Sequence, residues 1–413
     1  MKKKYKSKIF NDPVYGFISV NDEFIMQIID HPVFQRLRRI KQMGLAHFVY
    51  PGAHHTRFHH ALGAMHLMHE AIIVLREKGV VITDDEQRGA LAAILLHDCG
   101  HGPFSHALEG VVIPNFHHEK ISLALMNQLN QEFNGALDIA ISIFSGKYHK
   151  TFLNQLVSGQ LDIDRLDYLQ RDSFYTGVSE GVIGADRIIK LIDVYENNLV
   201  VEEKGVYSIE KFLIARRLMY WQVYLHKTVI AAEMMILKIF KRAKWLTLQG
   251  ENLFAGNSLS YFLRLKSDDN AFTMEELLEN FSKIDDTDIW ASIKEWQYHH
   301  DVILSDLCKR IMSRRLFKIK LSHEPIPKSI RDRHIEMILE RDISHDDLSY
   351  YLIEGQVDNT IYNASNNPIK IVQKNGLVAD ITAVSETIKQ LQEIENQKKF
   401  YICYPVFEAE SFN

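Results

Sequence analysis

At 413 residues, 46% of them hydrophobic, the chain can bury a large core, either as two or three domains or as one large helical domain with an appendage. A net charge of −5 argues against a basic nucleic-acid coat and leaves room only for a local basic pocket. Three well-separated cysteines (Cys99, Cys308, Cys403), no apolar stretch after Lys2-Lys3-Lys4 and no uncharged run near the ~18 residues of a membrane span lead us to expect a cytoplasmic protein with no signal peptide and no membrane partner.

Residues 1–30 read as short strands and turns, with turn signals at Asn11-Asp12-Pro13 and Tyr15-Gly16 and a strand-like Phe17–Val20. His31 to Gly44 has helical periodicity, with Val33, Leu37 and Ile40 on the apolar side and Arg36, Arg38, Arg39 and Lys41 on a solvated one. Beyond the turn at Tyr50-Pro51-Gly52, Ala61 to Leu75 is an apolar helix on which His66 and His69 are read as structural. Thr83 and Glu86 form a capping box for the helix that ends at His97-Asp98. His117-His118-Glu119 opens the next helix, Asn134-Gly135 closes it, and Phe152 to Val157 is a further short piece.

Asp162 to Asp172 carries carboxylates at 162, 164, 167 and 172, which repel on one helix unless Arg165, Arg171 and a metal balance them. Asp164 and Tyr168 share a face of it. A hairpin is expected between Leu199–Val201 and Val206-Tyr207, followed by one uninterrupted helix from Ser208 to about Leu248. Thr273 with Glu276 caps another helix, and Trp290 to Met312 is helical. After Leu316 the pattern becomes mixed, with strands at Ile369–Val372 and Tyr401–Tyr404. The fold class is therefore mainly α: a helical body over 1–315 and a smaller α+β carboxy-terminal region over 316–413.

The chemistry centres on His97-Asp98, where a hydrophobic run meets Gly100 and Gly102-Pro103. An isolated His-Asp pair is ordinary. Here it has Arg57-Phe58-His59-His60 upstream, His117-His118 downstream and the acidic helix beyond. Gly177 to Gly181 fits GxSxG, but an acidic helix precedes it where a nucleophile elbow needs a strand.

Histidine, then His-Asp, then a distant aspartate is the order of the HD phosphohydrolase superfamily, which the chain closely resembles, with an HD core at about 50–175. Within it the chain resembles the deoxynucleoside triphosphate triphosphohydrolases from about Asn11 to Lys320. The shared motifs are Asn11-Asp12-Pro13, Phe34-Gln35-Arg36-Leu37-Arg38, Arg57 to Gly63, His97 to His106, Asp162 to Asp172 and Tyr224 to Lys227. The resemblance implies hydrolysis of a dNTP to deoxynucleoside and triphosphate. The alternatives are another HD phosphohydrolase, such as a nucleoside monophosphate phosphatase or a cyclic or alarmone nucleotide hydrolase, and a non-catalytic nucleotide-sensing scaffold.

It implies one divalent metal (Mn, Mg, Fe or Zn) on His60, His97, Asp98 and Asp164, since mixed nitrogen and oxygen ligands do not choose among these ions. His106 would protonate the leaving oxygen with Glu109 orienting it, and His101 and His118 would serve the phosphates and the attacking water. Arg57, Arg165 and Arg216 would hold phosphate, with Lys227 nearby. Tyr168 would cover the 2′ position, Asp172 and Gln42 would take the 3′-hydroxyl, and Tyr224 would lie by the base. The resemblance further implies a dGTP or GTP activator read by Asp30, Gln35 and Arg38 at a subunit interface, with Lys8, Arg314 and Lys318 at nucleotide phosphates, in a homotetramer or a dimer. Three features depart from the family pattern: Arg165 in place of lysine, Tyr220 in place of histidine, and Glu202-Glu203-Lys204 in place of a basic run.

Overall fold

The computed structural model describes residues 6–104, 117–266, 273–357, 362–363, 367–394 and 398–407, and the chain is mainly α. It opens with an antiparallel hairpin of β1 (Lys8–Asp12) and β2 (Gly16–Val20), whose turn is closed by Asp12 accepting from the backbone N–H groups of Val14 and Tyr15. The helix α1 (Glu23–Asp30) was not expected among strands and turns. Asp22 caps it by accepting from Phe24 and Ile25, and the isoleucines at 25, 28 and 29 bury one face.

The single helix expected from His31 to Gly44 is instead α2 (Pro32–Gln35), a 3-10 turn over Arg36–Arg39 and a β-bridge between Lys41 and Thr56. Arg36 leaves the solvated face assigned to it and is completely buried. It donates to the carbonyls of Ile284 (2.7 Å), Cys99 (3.3 Å) and His101 (3.0 Å). A buried guanidinium needs such partners for its five N–H groups, and three carbonyls from two separate loops supply them.

The centre is built from α3 (Arg57–Glu77), α4 (Asp84–Leu96), α5 (His118–Glu132), α6 (Asp138–Phe144), α7 (Thr151–Val157) and α8 (Ile163–Thr176). The Thr83–Glu86 capping box is present in both directions, at 3.2 and 2.8 Å. Helix α3 packs between α4 and α8, and its close approach to α8 depends on Gly63. A Cβ there would lie 2.0 Å from Arg171 Nη2 and 2.1 Å from Asp167 Oδ1.

After α9 (Ala185–Leu191), β3 (Ile192–Tyr195) pairs with β4 (Asn198–Glu202) through Glu196 and Asn197, both with positive φ. The expected hairpin had β4 correct and its partner on the wrong side, because Val206 already begins α10 (Val206–Met219). The long helix also breaks. A π-helical turn over Tyr220–Tyr224 follows α10, and α11 (Lys227–Leu248) restarts with the His226 ring accepting from Thr228 N–H. Single π-turns of this kind recur at functional sites.

Four helices complete the body: α12 (Asn257–Arg264), α13 (Met274–Phe281), α14 (Asp286–Trp296) and α15 (Val302–Met312). Asp301 caps α15 and so divides the stretch expected to be helical from Trp290 to Met312. The carboxy-terminal region holds β5 (Lys318–Ser322), α16 (Lys328–Leu339), α17 (Leu348–Tyr351), β6 (Ile353–Val357), β7 (Lys370–Val372), β8 (Val378–Asp380), α18 (Ile381–Val384), α19 (Glu386–Ile394) and β9 (Lys399–Tyr404). One sheet has the order β5-β9-β6. The other, β3-β4-β7-β8, joins this region to the helical body through the parallel pair β4 and β7. Cys99, Cys308 and Cys403 are buried free thiols, and no helix among the described residues is long and apolar enough to cross a membrane.

Gly63→Ala forces a methyl group into a filled, charged contact, so we expect a loss of about 1–3 kcal/mol, the cost of overpacking a core. Chemical denaturation measures it, and an unchanged midpoint would contradict the close approach of α3 and α8.

Candidate metal centre

Three elements converge on one point. His60 comes from the first turns of α3, His97 from the end of α4 and Asp164 from the first turn of α8. His60 Nε2 lies 3.0 Å from Asp164 Oδ1 and 3.4 Å from His97 Nε2, and His97 Nε2 lies 3.5 Å from the same Asp164 oxygen. Asp98 sits at the edge of this set, 3.3 Å from His97 Nε2 and 3.8 Å from His60 Nε2, and its oxygens also meet Arg57 and His101. His60 is fully buried while the Asp164 side chain is 26% exposed, so the cluster opens to solvent on the α8 side.

Both imidazoles are held with Nε2 inward. His60 donates from Nδ1 to Asp167 at 2.8 Å, and His97 donates from Nδ1 to the Ile94 carbonyl at 2.6 Å. An imidazole whose Nδ1 carries the proton offers a lone pair at Nε2, which is the tautomer a metal ligand needs. Burial opposes a charge on His60, yet hydrogen bonds to Asp164 and Asp167 push its pKa up to about 10. Burial likewise works against the Asp164 carboxylate, but His60 and His97 hold it well below the usual range. The cluster thus draws a positive charge to a point between two nitrogens and a carboxylate, and a divalent cation satisfies it without protonating the ligands.

Around this point the loop after α4 is pinned from two sides. Gly100 N–H donates to Ser122 Oγ (2.9 Å), Ser122 Oγ donates to the His97 carbonyl (2.7 Å), and a Cβ at Gly100 would lie 2.2 Å from the His118 carbonyl. That proximity stacks His118 on His101, with ring centres 4.0 Å apart. Burial and the nearby Arg57 push the His101 imidazole down to about 3, so it is neutral.

The residues expected to hold sugar and base lie together. Asp172 accepts from His55 Nε2 and from the Tyr224 hydroxyl, each at 2.7 Å, and Tyr224 lies edge-on to Tyr168 and Tyr220. Gln42 joins them through its N–H to the His55 carbonyl. Arg216 lies over Tyr220, and both Arg216 and Arg165 act electrostatically on the Tyr168 hydroxyl. Arg165 is tied back to buried Asp162 and to the Gly159 carbonyl. Lys227 is exposed at the start of α11.

Asp30, Gln35 and Arg38 share a surface patch. Gln35 donates to the Ile29 carbonyl, Arg38 donates to Gln35 and covers Phe58, and Asp30 acts on Arg38. Lys8 is exposed on β1. Arg314 donates to the Phe48 carbonyl, and Lys318 begins β5. No hydrogen bond or ion pair among the described residues ties Lys8, Arg314 or Lys318 to the patch. His106 and Glu109 lie outside the described residues.

Arg171 balances Asp167 as the acidic pattern predicts, but three further supports carry no such signal: Asp12 extends that pair into a buried chain behind His60, His55 holds Asp172, and Arg36 grips the loop after His97.

Removing the support should weaken the site without removing a ligand. Asp167→Asn is expected to lower affinity for a divalent ion by about 10- to 100-fold, as loss of an outer-shell carboxylate does. The pH dependence has a defined sign. Protonated His60 stabilises the metal-free protein fully below its ordinary pKa of 6.5, and that stability is lost as pH rises through about 10. Melts of chelated protein should therefore fall across this window, and added ion should flatten the fall. An ion that binds both proteins equally would contradict the support.

The family model described as "HD associated region" matches residues 183–246. The uncharacterized protein YwfO of Bacillus subtilis is 32% identical over 403 residues, covering 94% of this chain and 89% of that protein. A Dictyostelium discoideum protein named deoxynucleoside triphosphate triphosphohydrolase SAMHD1 homolog is 35% identical over 256 residues. That match takes in 57% of this chain and about half (49%) of the relative. Among solved structures, a phosphohydrolase from Bacteroides thetaiotaomicron superposes with a TM-score of 0.92 at 48% identity, over 97% of this chain and all of that one. With the histidines, the His-Asp pair and the α8 aspartate gathered together, and a solved phosphohydrolase matching over 97% of this chain at 48% identity, the chain belongs to the HD-domain phosphohydrolase family.

Proposed function

We propose that the chain is a metal-dependent dNTP triphosphohydrolase, converting a dNTP and water into a deoxynucleoside and triphosphate. The observation that carries this reading is the Asp172, Tyr224, Tyr168 cluster placed one to two turns along α8 from Asp164. A phosphatase of inorganic or small esters has no need of an aromatic, hydroxyl-binding pocket beside its metal. Relatives named as dNTP triphosphohydrolases support the substrate class.

His60, His97, Asp98 and Asp164 would hold the ion, which when bound supplies positive charge to phosphate oxygens and acidifies water. Water attacks the α-phosphorus, the bond from phosphorus to O5′ breaks, and O5′ leaves with a proton. His106 is assigned as the donor of that proton, with Glu109 orienting it, on the family motif alone. His101, neutral and stacked on His118, is fitted to orient the attacking water or a phosphate oxygen. Arg57, Arg165 and Arg216 would bind the polyphosphate. Tyr168 would crowd a 2′-hydroxyl, Asp172 and Gln42 would take the 3′-hydroxyl, and Tyr224 would border the base.

The same reading places a guanine nucleotide, dGTP or GTP, on Asp30, Gln35 and Arg38. A carboxylate can accept from guanine N1 and N2 while a guanidinium donates to O6 and N7. Lys8, Arg314 and Lys318 would reach its phosphates across subunits of a homotetramer or dimer, and activator and substrate binding would then be coupled reciprocally.

Chromatography of products tests this directly, using each dNTP with Mn, Mg or Fe, with and without dGTP. Triphosphate and deoxynucleoside should appear in equal amounts, and dGTP should raise the rate. Orthophosphate released from nucleoside monophosphates, with dNTPs untouched, would instead identify another phosphohydrolase of this family. A protein that binds nucleotides and turns none over would be a sensor.

A further inference from the structure

Asp172 is one of the most enclosed carboxylates in the protein, and each of its oxygens already accepts one hydrogen bond, from His55 Nε2 and from Tyr224. The His55 side chain is wholly buried and its ring lies flat on Tyr175, centres 4.4 Å apart and planes 17° apart, so it has no freedom to turn. The bridge between Lys41 and Thr56 makes Gln42 and His55 cross-strand partners, and the Gln42 N–H to the His55 carbonyl (3.0 Å) confirms that register. Directly opposed residues of an antiparallel pair present their side chains to the same side. Two buried polar atoms on that side, Gln42 Oε1 and His55 Nδ1, have no hydrogen-bond partner among the described residues.

A carboxylate has about four acceptor positions, so two remain on Asp172 after its two donors are counted. Buried acceptors without partners are costly, and several gathered at one place fit a ligand donor that arrives only on binding. We propose that His55 is a positioning residue for recognition of the sugar 3′-hydroxyl. By donating from Nε2 it fixes the rotation of the Asp172 carboxylate, so that a free lone pair takes the one proton the hydroxyl can donate, with the Gln42 side chain beside it. His55 itself need not touch substrate. Its grip on Asp172 is what makes the pocket require a 3′-hydroxyl. This inference rests on the dNTP reading of the site.

The test compares kcat/KM for a dNTP and for its 2′,3′-dideoxy counterpart, in the metal-loaded wild type, His55→Leu and His55→Gln. In wild type the ratio should be about 10- to 100-fold, the range for a hydrogen bond to a charged group. His55→Leu should bring the ratio close to one. His55→Gln, whose amide can donate from near the position of Nε2, should restore part of it. A merely structural role would slow both substrates alike and leave the ratio at the wild-type value, which would overturn the proposal. If His55→Leu does not fold, His55→Gln decides alone: a ratio below wild type supports the proposal, and an unchanged one overturns it. Wild type that releases triphosphate while the variants keep its ratio refutes the role of His55 only. Wild type that cleaves no dNTP refutes the substrate reading and this proposal together.

Discussion

Asp167 accepts from His60 Nδ1 at 2.8 Å and from Arg171 Nε at 2.9 Å, and Arg171 in turn donates to Asp12 at 2.7 Å. The side chains of His60, Asp167 and Arg171 are fully buried. Breaking such a pair by removing one partner costs about 3–5 kcal/mol, because the other charge is left without compensation. The chain of contacts joins the amino-terminal hairpin, α3 and α8, and it sets the ring plane and tautomer of His60. The separation of α3 from α8, the glycine at 63 and the turn at Asp12 all follow from keeping this chain intact.

A second constraint acts on the loop after α4. Arg36 draws together the carbonyls of Cys99, His101 and Ile284, and its neighbours extend the same seam. Arg39 pairs with Asp285 at 2.5 Å, and Lys41 N–H donates to Asp286 at 3.0 Å. The residues on the outer side of this turn, Gln35 and Arg38, form the surface patch with Asp30. One short turn therefore has one side against the loop bearing His101 and the other at the surface. Arg36 and Arg38, two residues apart on this turn, face opposite sides, one buried and one exposed.

The residues of the candidate metal cluster were legible because each comes from a strongly patterned helix. The capping box at Thr83 fixed the start of α4, and its apolar run led to His97. The acids of 162–172 required cations, and Arg171 and Arg165 are paired with Asp167 and Asp162 as that argument demanded. Where periodicity misled, tertiary contacts outweighed it. Arg36 has the spacing of a solvated residue, and no local rule shows that three distant carbonyls await it. The break at Tyr220–Tyr224 contains neither proline nor glycine, so nothing in composition marks it. It is stabilised from outside by the Tyr50 hydroxyl donating to the Gln222 carbonyl and by Lys399 over Trp221. His55 was overlooked because its partner lies 117 residues away.

In the proposed enzyme the ion would sit where α3, α4 and α8 meet. Anomalous scattering from crystals grown with manganese tests it most directly. A peak is expected bounded by His60 Nε2, His97 Nε2 and Asp164, with Asp98 adjoining. Absence of a peak there, with manganese instead at the cluster of Glu251, His299 and His300, would contradict it.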